Sequence, residues 1–210
     1  MRTCLWILLA FTAISCAQQS SKEEPAQDLH SEHQKIAGAP AGYIEKLNRG
    51  EITEDTLKGS PGKIAMANVG SVHVHITYSS PGVKGRVIWG GLVPYDQVWV
   101  AGAHMATTVN INEAIRVDGT IVPAGTYALF AIPGKDEWVL ILNKHYRQHL
   151  ADEYDSTEDA VRIKVKPQAV PFTPRLVYAI AETSDSTGVI SMQWEKLKLS
   201  LPFSITGSNQ

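Results

Sequence analysis

The sequence predicts an all-β protein: an antiparallel β-sandwich or flattened barrel of about ten short strands, behind a flexible N-terminal tether. Two observations predict this fold class. From residue 63 onward, short apolar or alternating segments recur with turn signals between them, which is typical of sandwiches and barrels. No periodic segment after residue 63 is long enough for a substantial helix.

The chain begins with a segment typical of an exported lipoprotein. In "MRTCLWILLAFTAISCAQQS", Arg2 precedes an apolar run that is too short to span a bilayer as a helix. "AISC" resembles the lipobox of bacterial lipoproteins, with Ala13 where leucine is usual, and implies that Cys16 is acylated. A plain secretory signal is the alternative. The other cysteine, Cys4, lies inside the signal, so the mature chain would offer no free thiol for catalysis or metal binding.

The composition divides the rest of the chain. We expect a signal peptide (residues 1–15), a polar flexible tether (16–36), a short helical or irregular lead-in (37–62), the β-sandwich domain (63–204) and a tail (205–210). In the lead-in, Thr53 is a candidate N-cap for a short helix in "TEDTLKG". The lipid would attach the domain to a membrane of the bacterial cell envelope, facing either the periplasm or the cell surface.

Four segments predict particular strands. "AIRVDGTIVP" is a hairpin around Asp118-Gly119, and "GTYALFAIPGKDEWVLILN" is a pair of apolar strands covered on both faces. "AVRIKVK" and "EKLKLSLPF" alternate apolar and polar residues, as strands with one buried face do. "HYRQHLADEYDSTED" is expected to be a charged loop.

The charge balance argues against a nucleic-acid partner. The formal net charge is -2 and 19% of the residues are charged, without a dense cluster of lysine and arginine. We therefore expect no nucleic-acid binding.

Three blocks carry a resemblance to a known family. They are "YSSPGVKGRVIWGGLVPYDQVWVAGAHMATT", "VPAGTYALFAIPGKDEWVLILNK" and "WEKLKLSLP". The chain resembles the bacterial domain-of-unknown-function family 2911, found in exported proteins and lipoproteins, over roughly residues 60 to 203. The resemblance implies an all-β domain with a signal peptide and no established activity. The chain departs from the family at Val100 and His104, where arginine and asparagine are usual, and at His149-Leu150, where Trp-Gly is common.

Histidines provide the most concrete chemical hypothesis. In "SVHVHITYSS", His73 and His75 share the strand face opposite the apolar parity. Joined by His104 from a neighbouring strand, and by the thioether of Met105, they would form a copper or zinc site. The alternative is that His73 and His75 simply face solvent. The sequence thus predicts a non-enzymatic, lipid-anchored envelope protein that binds copper or zinc.

A binding or scaffold module for glycan or protein is the alternative function. Trp89 and Tyr95 flank Gly90-Gly91 and are the better surface candidates, whereas Trp138 and Trp194 lie in strand patterns expected to be buried.

A hydrolase is the third possibility. Ser60 would be its nucleophile, with His149 and the carboxylates of Asp152, Glu153 and Asp155 nearby in sequence. No nucleophile elbow surrounds Ser60, and the acidic residues are typical of a solvated loop. We therefore favour a protein that is not an enzyme.

Replacing Cys16 with serine tests the anchor. The variant should leave the membrane fraction for the soluble fraction, because serine cannot carry the thioether-linked lipid. Detergent-free fractionation of cells expressing the parent and Cys16→Ser measures this. Equal membrane association of the two proteins would contradict lipidation at Cys16.

Overall fold

In the computed structural model, which describes residues 39–207, ten strands form two antiparallel sheets. One helix and ten strands follow in chain order: α1 (Tyr43–Asn48), β1 (Gly62–Val69), β2 (Val72–Ser79), β3 (Thr107–Ile111), β4 (Ile115–Val117), β5 (Thr120–Val122), β6 (Gly125–Ile132), β7 (Trp138–Asn143), β8 (Asp159–Val165), β9 (Gln168–Ser184) and β10 (Thr187–Ile205). A 3₁₀ helix (Ser156–Glu158) precedes β8. The six-stranded sheet has the order β1-β2-β3-β6-β7-β8, and the four-stranded sheet β5-β4-β10-β9.

These two open sheets confirm the predicted β-sandwich rather than a closed barrel. The signal, Cys16 and the tether lie outside the described residues. Within residues 39–207, no helix has both the length and the apolar character needed to cross a membrane.

Apolar residues at alternate positions of the strands form the core between the two sheets. In β2, every second residue from Val72 to Tyr78 is buried, and the residues between them are only half-buried. From the other sheet, β10 contributes Trp194, Leu199 and Leu201 to the same core. Burying such a side chain stabilises the fold by about 1.5–3 kcal/mol, so the parity of each strand is strongly specified.

The Asp118-Gly119 hairpin forms as predicted. Asp118 and Gly119 have φ values of 45° and 80°, which are those of a type I′ turn, and Val117 pairs with Thr120 across it. β4 and β5 are the short strands on either side.

The β6–β7 pair is apolar on both faces, as predicted. Leu129 and Leu142 belong to the core between the sheets, whereas Phe130 and Ile141 form a second cluster on the outer face. Tyr154, from the charged loop before β8, packs edge-on against Phe130 at 5.2 Å between ring centroids. The charged loop therefore also serves as a cover for this sheet.

The last two strands are longer than predicted. The sequence predicts about ten short strands, one of them in "EKLKLSLPF", but this segment is part of β10, and β9 and β10 run for 17 and 19 residues. Register shifts between Gln193 and Leu197, with Glu195 at φ 56°, bend the ribbon without ending it. A β-bulge keeps a strand paired while it changes the direction of the strand. The apparent break between two strands in the sequence pattern is therefore a bend within one strand.

The lead-in differs from the prediction for Thr53. The helix ends at Asn48, and residues 53–59 run as irregular chain. The reason is tertiary: Asp55 lies 2.9 Å from the guanidinium Nε of Arg175, an ion pair that lacks the alignment of a hydrogen bond. Helical geometry would turn this carboxylate away from its buried partner.

Arg175 is fully buried, and both of its Nη atoms donate to backbone carbonyls. Nη1 donates to Gly59 at 3.1 Å and to Ser80 at 2.8 Å, and Nη2 donates to Leu57 at 2.9 Å. The side chain of Asn48 brackets the backbone of Arg175 with two hydrogen bonds of 3.0 Å. The lead-in is thereby fastened to β9.

Two truncations separate the tether from the lead-in. Removing residues 1–35 should leave the free energy of unfolding unchanged, because the tether sequence has little to bury. Removing residues 1–59 should destabilise the domain severely, because Arg175 loses three of its four acceptor groups. Denaturant unfolding of both chains measures the difference. Arg175→Met should recover part of the stability of the shorter chain, and equal stability of the two truncated parents would contradict this account.

A single substitution tests the ion pair. Asp55→Asn removes the carboxylate paired with Arg175 and should lower the free energy of unfolding by about 3–5 kcal/mol, the usual cost of leaving a buried charge without its partner. Asp136→Asn, at an exposed position, is the matched control and should change stability by less than about 0.5 kcal/mol. Similar effects of the two substitutions would show that the pair does not stabilise the fold.

Candidate functional site

A pocket of about 310 Å³ lies where several distant segments meet. Its lining combines indole rings and aliphatic side chains with the polar side chains of Ser60, Arg86 and His104. The other lining residues are Pro81, Leu92, Val93, Trp99, Gly102, Ala103, Leu150 and Trp194. Most of these residues belong to the connection between β2 and β3. Ligand pockets of proteins are typically concave, largely apolar and provided with a few polar groups, as this one is.

Four of the five tryptophans of the chain pack together beside this pocket. Trp89 makes edge contacts with Trp99, Trp138 and Trp194 at centroid distances of 5.8, 4.8 and 5.5 Å. Trp99 and Trp194, the two that line the pocket, stack at 5.9 Å with 20° between their planes. Their mutual packing holds the indole walls in place.

The loop between Val100 and Met105 is held in an unusual conformation. Ala101 and His104 have φ values of 48° and 62°, in the left-handed region. The carbonyl of Ala101 accepts hydrogen bonds from Tyr178 at 2.7 Å and Thr107 at 3.1 Å. Burial raises the pKa of Tyr178 well above its ordinary value, so this phenol stays a donor. Left-handed non-glycine residues cost about 1–3 kcal/mol each and concentrate at functional sites.

His104 is hydrogen-bonded to the segment that follows β7. The N–H of Leu150 donates to the carbonyl of His104 at 2.8 Å, and Leu150 is itself left-handed, with φ 52°. Next to them, Met105 and His149 form an antiparallel bridge. Side chains of bridged residues lie on one side and their neighbours on the other, which is why His104 and Leu150 line the pocket together. His104 and Leu150 therefore adjoin in one wall of the pocket.

Arg86 is the only arginine or lysine in the lining of this pocket. Its Nε donates to the carbonyl of Val83 at 3.3 Å and its Nη2 to that of Gly82. These bonds orient the guanidinium and leave Nη1 without a hydrogen bond within the described residues. Among the residues that the structure describes, no carboxylate belongs to the lining of the pocket, so donors outnumber acceptors among its polar side chains.

Trp89 and Tyr95, the surface candidates of the alternative function, do not line the pocket. Trp89 lies among the other tryptophans. Tyr95 covers Gly90, where an added Cβ would lie 2.6 Å from the tyrosine ring. Gly90 also has φ 77°, so glycine is needed at this position both for its conformation and for the close approach.

The structure separates the residues of the predicted metal site. His73 and His75 share the outer face of the six-stranded sheet, opposite the core parity, as expected. His75 pairs with Asn110, and β3 begins three residues earlier, about 10 Å away by strand rise. His104 and Met105 lie in the loop before that end of β3. Residues 39–207 contain no group of three His, Cys, Asp or Glu side chains placed to hold one ion.

Copper or zinc binding consequently stays a prediction, and His104 and Met105 do not adjoin the other two ligands. The parity rule also places Met105 on the side opposite His104, so these two residues do not converge on one ion.

The components of the hydrolase hypothesis are also dispersed. Ser60 lines the pocket with His104, but the carboxylates of the charged loop lie elsewhere. There Asp152 approaches His149 at 3.7 Å and Glu153 approaches His145 at 3.6 Å, between exposed side chains. A nucleophile at Ser60 would have no carboxylate to orient its base.

Fold and pocket together define an antiparallel, two-sheet β-sandwich protein with an indole-walled surface pocket. The chain belongs to the family described as protein of unknown function (DUF2911), whose model matches residues 60–203. The resemblance found in the sequence is thereby confirmed over the same range. No curated protein and no solved structure matches the chain.

Sequence reasoning missed most of the pocket. Trp194 was expected to be buried and is, at 1% exposed, yet its ring still forms a wall of the pocket. Leu150 lies within the charged loop, which has no apolar periodicity. The one available signal was Arg86, Trp99 and His104 occurring within the longest block that carries the family resemblance.

Proposed function

We propose that this is a non-enzymatic binding protein of the bacterial cell envelope, anchored through Cys16, whose pocket takes a small organic anion with a flat apolar face. An acidic sugar unit is the ligand class. The single observation that carries the proposal is the presence of two stacked indoles, Arg86 and His104 in one pocket of about 310 Å³.

The indole walls select the shape of the ligand. Trp99 offers a partly exposed indole, which stacks on the buried Trp194, and Leu92 and Leu150 are exposed at 46% and 41% in the same lining. Sugar rings stack on indoles through their C–H faces, because the π-face carries partial negative charge. The volume lies at the low end of the range for ligand pockets, which favours one or two rings over a long chain.

The polar groups select the charge of the ligand. The planar guanidinium of Arg86 matches the geometry of a carboxylate, to which it can donate two parallel hydrogen bonds. Ser60 and His104 add further hydrogen-bonding groups in the same lining. Since no acidic side chain lies there to repel it, a carboxylate is the favoured anionic group. Anion binding of this kind weakens as salt increases, because the pocket is open to solvent.

Tryptophan fluorescence measures this binding directly, because two of the emitting rings line the pocket. Titration with glucuronate should change the emission saturably, and glucose should bind at least about tenfold more weakly because it lacks the carboxylate. Arg86→Gln should weaken glucuronate binding by about 10- to 150-fold, since a hydrogen bond to a charged group contributes about 1.5–3 kcal/mol.

Arg147→Gln is the matched control, because Arg147 is exposed and stacks over Tyr146 at 5.5 Å outside the pocket. It should leave glucuronate binding unchanged. Benzoate separates the ligand classes: binding of benzoate tighter than that of glucuronate would exclude acidic sugars in favour of aromatic acids. The proposed pocket function is wrong if neither anion binds, or if Arg86→Gln and Arg147→Gln behave alike.

A further inference from the structure

A second polar cluster lies on the outer face of the six-stranded sheet, away from the pocket. There His73 pairs with Asn68 across β1 and β2, and His75 pairs with Met66. Met66 is 58% exposed, and both histidines are half-buried. The outer cluster, defined as Met66, His73 and His75, thus places one thioether and two imidazoles on one surface.

The backbone determines how closely these side chains approach. The N–H of His73 donates to Asn112 Oδ1 at 2.6 Å, and its carbonyl accepts from the Asn112 N–H at 3.3 Å. The backbone groups of His73 therefore point towards β3, and those of His75 follow two residues later. On the side that faces β1, both histidines therefore form non-hydrogen-bonded pairs. In pairs of this type the Cα atoms are only about 4.5 Å apart, and the side chains lie closer together than in hydrogen-bonded pairs.

A hydrogen bond also selects the tautomer of one imidazole. His73 Nδ1 lies 2.7 Å from Asn68 Oδ1. An amide oxygen can only accept, so Nδ1 carries the proton and Nε2 of the neutral ring keeps its lone pair. Histidines that bind metals usually donate their other N–H to such an oxygen, which fixes the orientation of the ring.

We propose that Met66, His73 and His75 bind one monovalent copper ion on this face. Two histidines two residues apart on a strand are about 6.6 Å apart at Cα, which lets their rings converge on one ion. Met66, opposite His75, supplies a soft sulfur ligand. Thioethers favour Cu(I), whereas Zn²⁺ prefers imidazole, thiolate and carboxylate. The ligand set needs neither His104 nor Met105.

The assay uses the full-length chain with competing ligands removed. Thiolates bind soft metals strongly, so Cys4 and Cys16 are replaced with serine, and His30 and His33 with alanine, in every protein tested. Silver(I) serves as an air-stable probe with the same preference for sulfur, and copper(I) is measured under reducing, anaerobic conditions by competition with a chromogenic chelator. Zinc(II), a borderline ion that does not share the preference for thioether sulfur, is the comparison ion.

We expect one silver(I) or copper(I) ion per chain. Met66→Leu should lower the affinity for both ions at least tenfold and leave zinc(II) affinity within about twofold, because leucine keeps the volume and removes only the sulfur. His73→Ala and His75→Ala should each lower the affinity for all three ions at least tenfold. Asn68→Leu should weaken binding less than removal of His73, because it removes only the orienting hydrogen bond.

His104→Ala and Met105→Leu are the controls that distinguish this site from a site at the loop. Both should leave the affinity for silver(I) unchanged, and circular dichroism should be the same for all variants, because the outer cluster contributes nothing to the core. Silver(I) binding that is absent in the parent, or unaffected by Met66→Leu, would overturn the proposal. So would a loss caused by His104→Ala. Glucuronate binding should be the same in Met66→Leu as in the parent, so each of the two proposals can fail alone.

Discussion

Arg175 carries a full charge at a position without access to solvent, and most of the architecture can be understood from what that charge requires. A buried guanidinium is tolerated only with an opposing charge and an acceptor for its remaining donors. The lead-in supplies Asp55 and the carbonyls of Leu57 and Gly59. The domain therefore extends beyond the family match, which begins at residue 60. Gly82 is part of this requirement, since an added Cβ would lie 2.6 Å from the Asp55 carboxylate.

The residues that contact Arg175 also adjoin the pocket. Ser60 follows Gly59 directly, and Gly82 both bridges to Arg175 and accepts a hydrogen bond from Arg86. The charge that holds the lead-in thus also places two of the polar groups that line the pocket. By contrast, the pairing of β1 and β2 brings the outer cluster together, and Asn112 holds the backbone of His73. One candidate site is built from long-range tertiary contacts, and the other from a single hairpin.

The sequence predicted those features that depend on local pattern. Alternation placed His73 and His75 on the outer face, and Asp118-Gly119 gave the hairpin. It could not predict the bridge that brings Leu150 beside His104, because pairing between distant segments leaves no periodic trace. Nor could it predict Met66 as a partner of His75, which follows from the register of one turn. The sequence-based prediction joined both histidines with His104, which lies in the loop before β3.

The dispersed origin of the pocket walls has a thermodynamic consequence. Residues 60, 86, 104, 150 and 194 approach one another only when both sheets are formed, so the unfolded chain has no comparable binding site. By linkage, a ligand present at a hundred times its dissociation constant adds about 2.7 kcal/mol to the stability of the folded state. A ligand should therefore raise the melting temperature of the whole domain. Unrelated compounds can be ranked by the size of this increase before any chemical class is assumed.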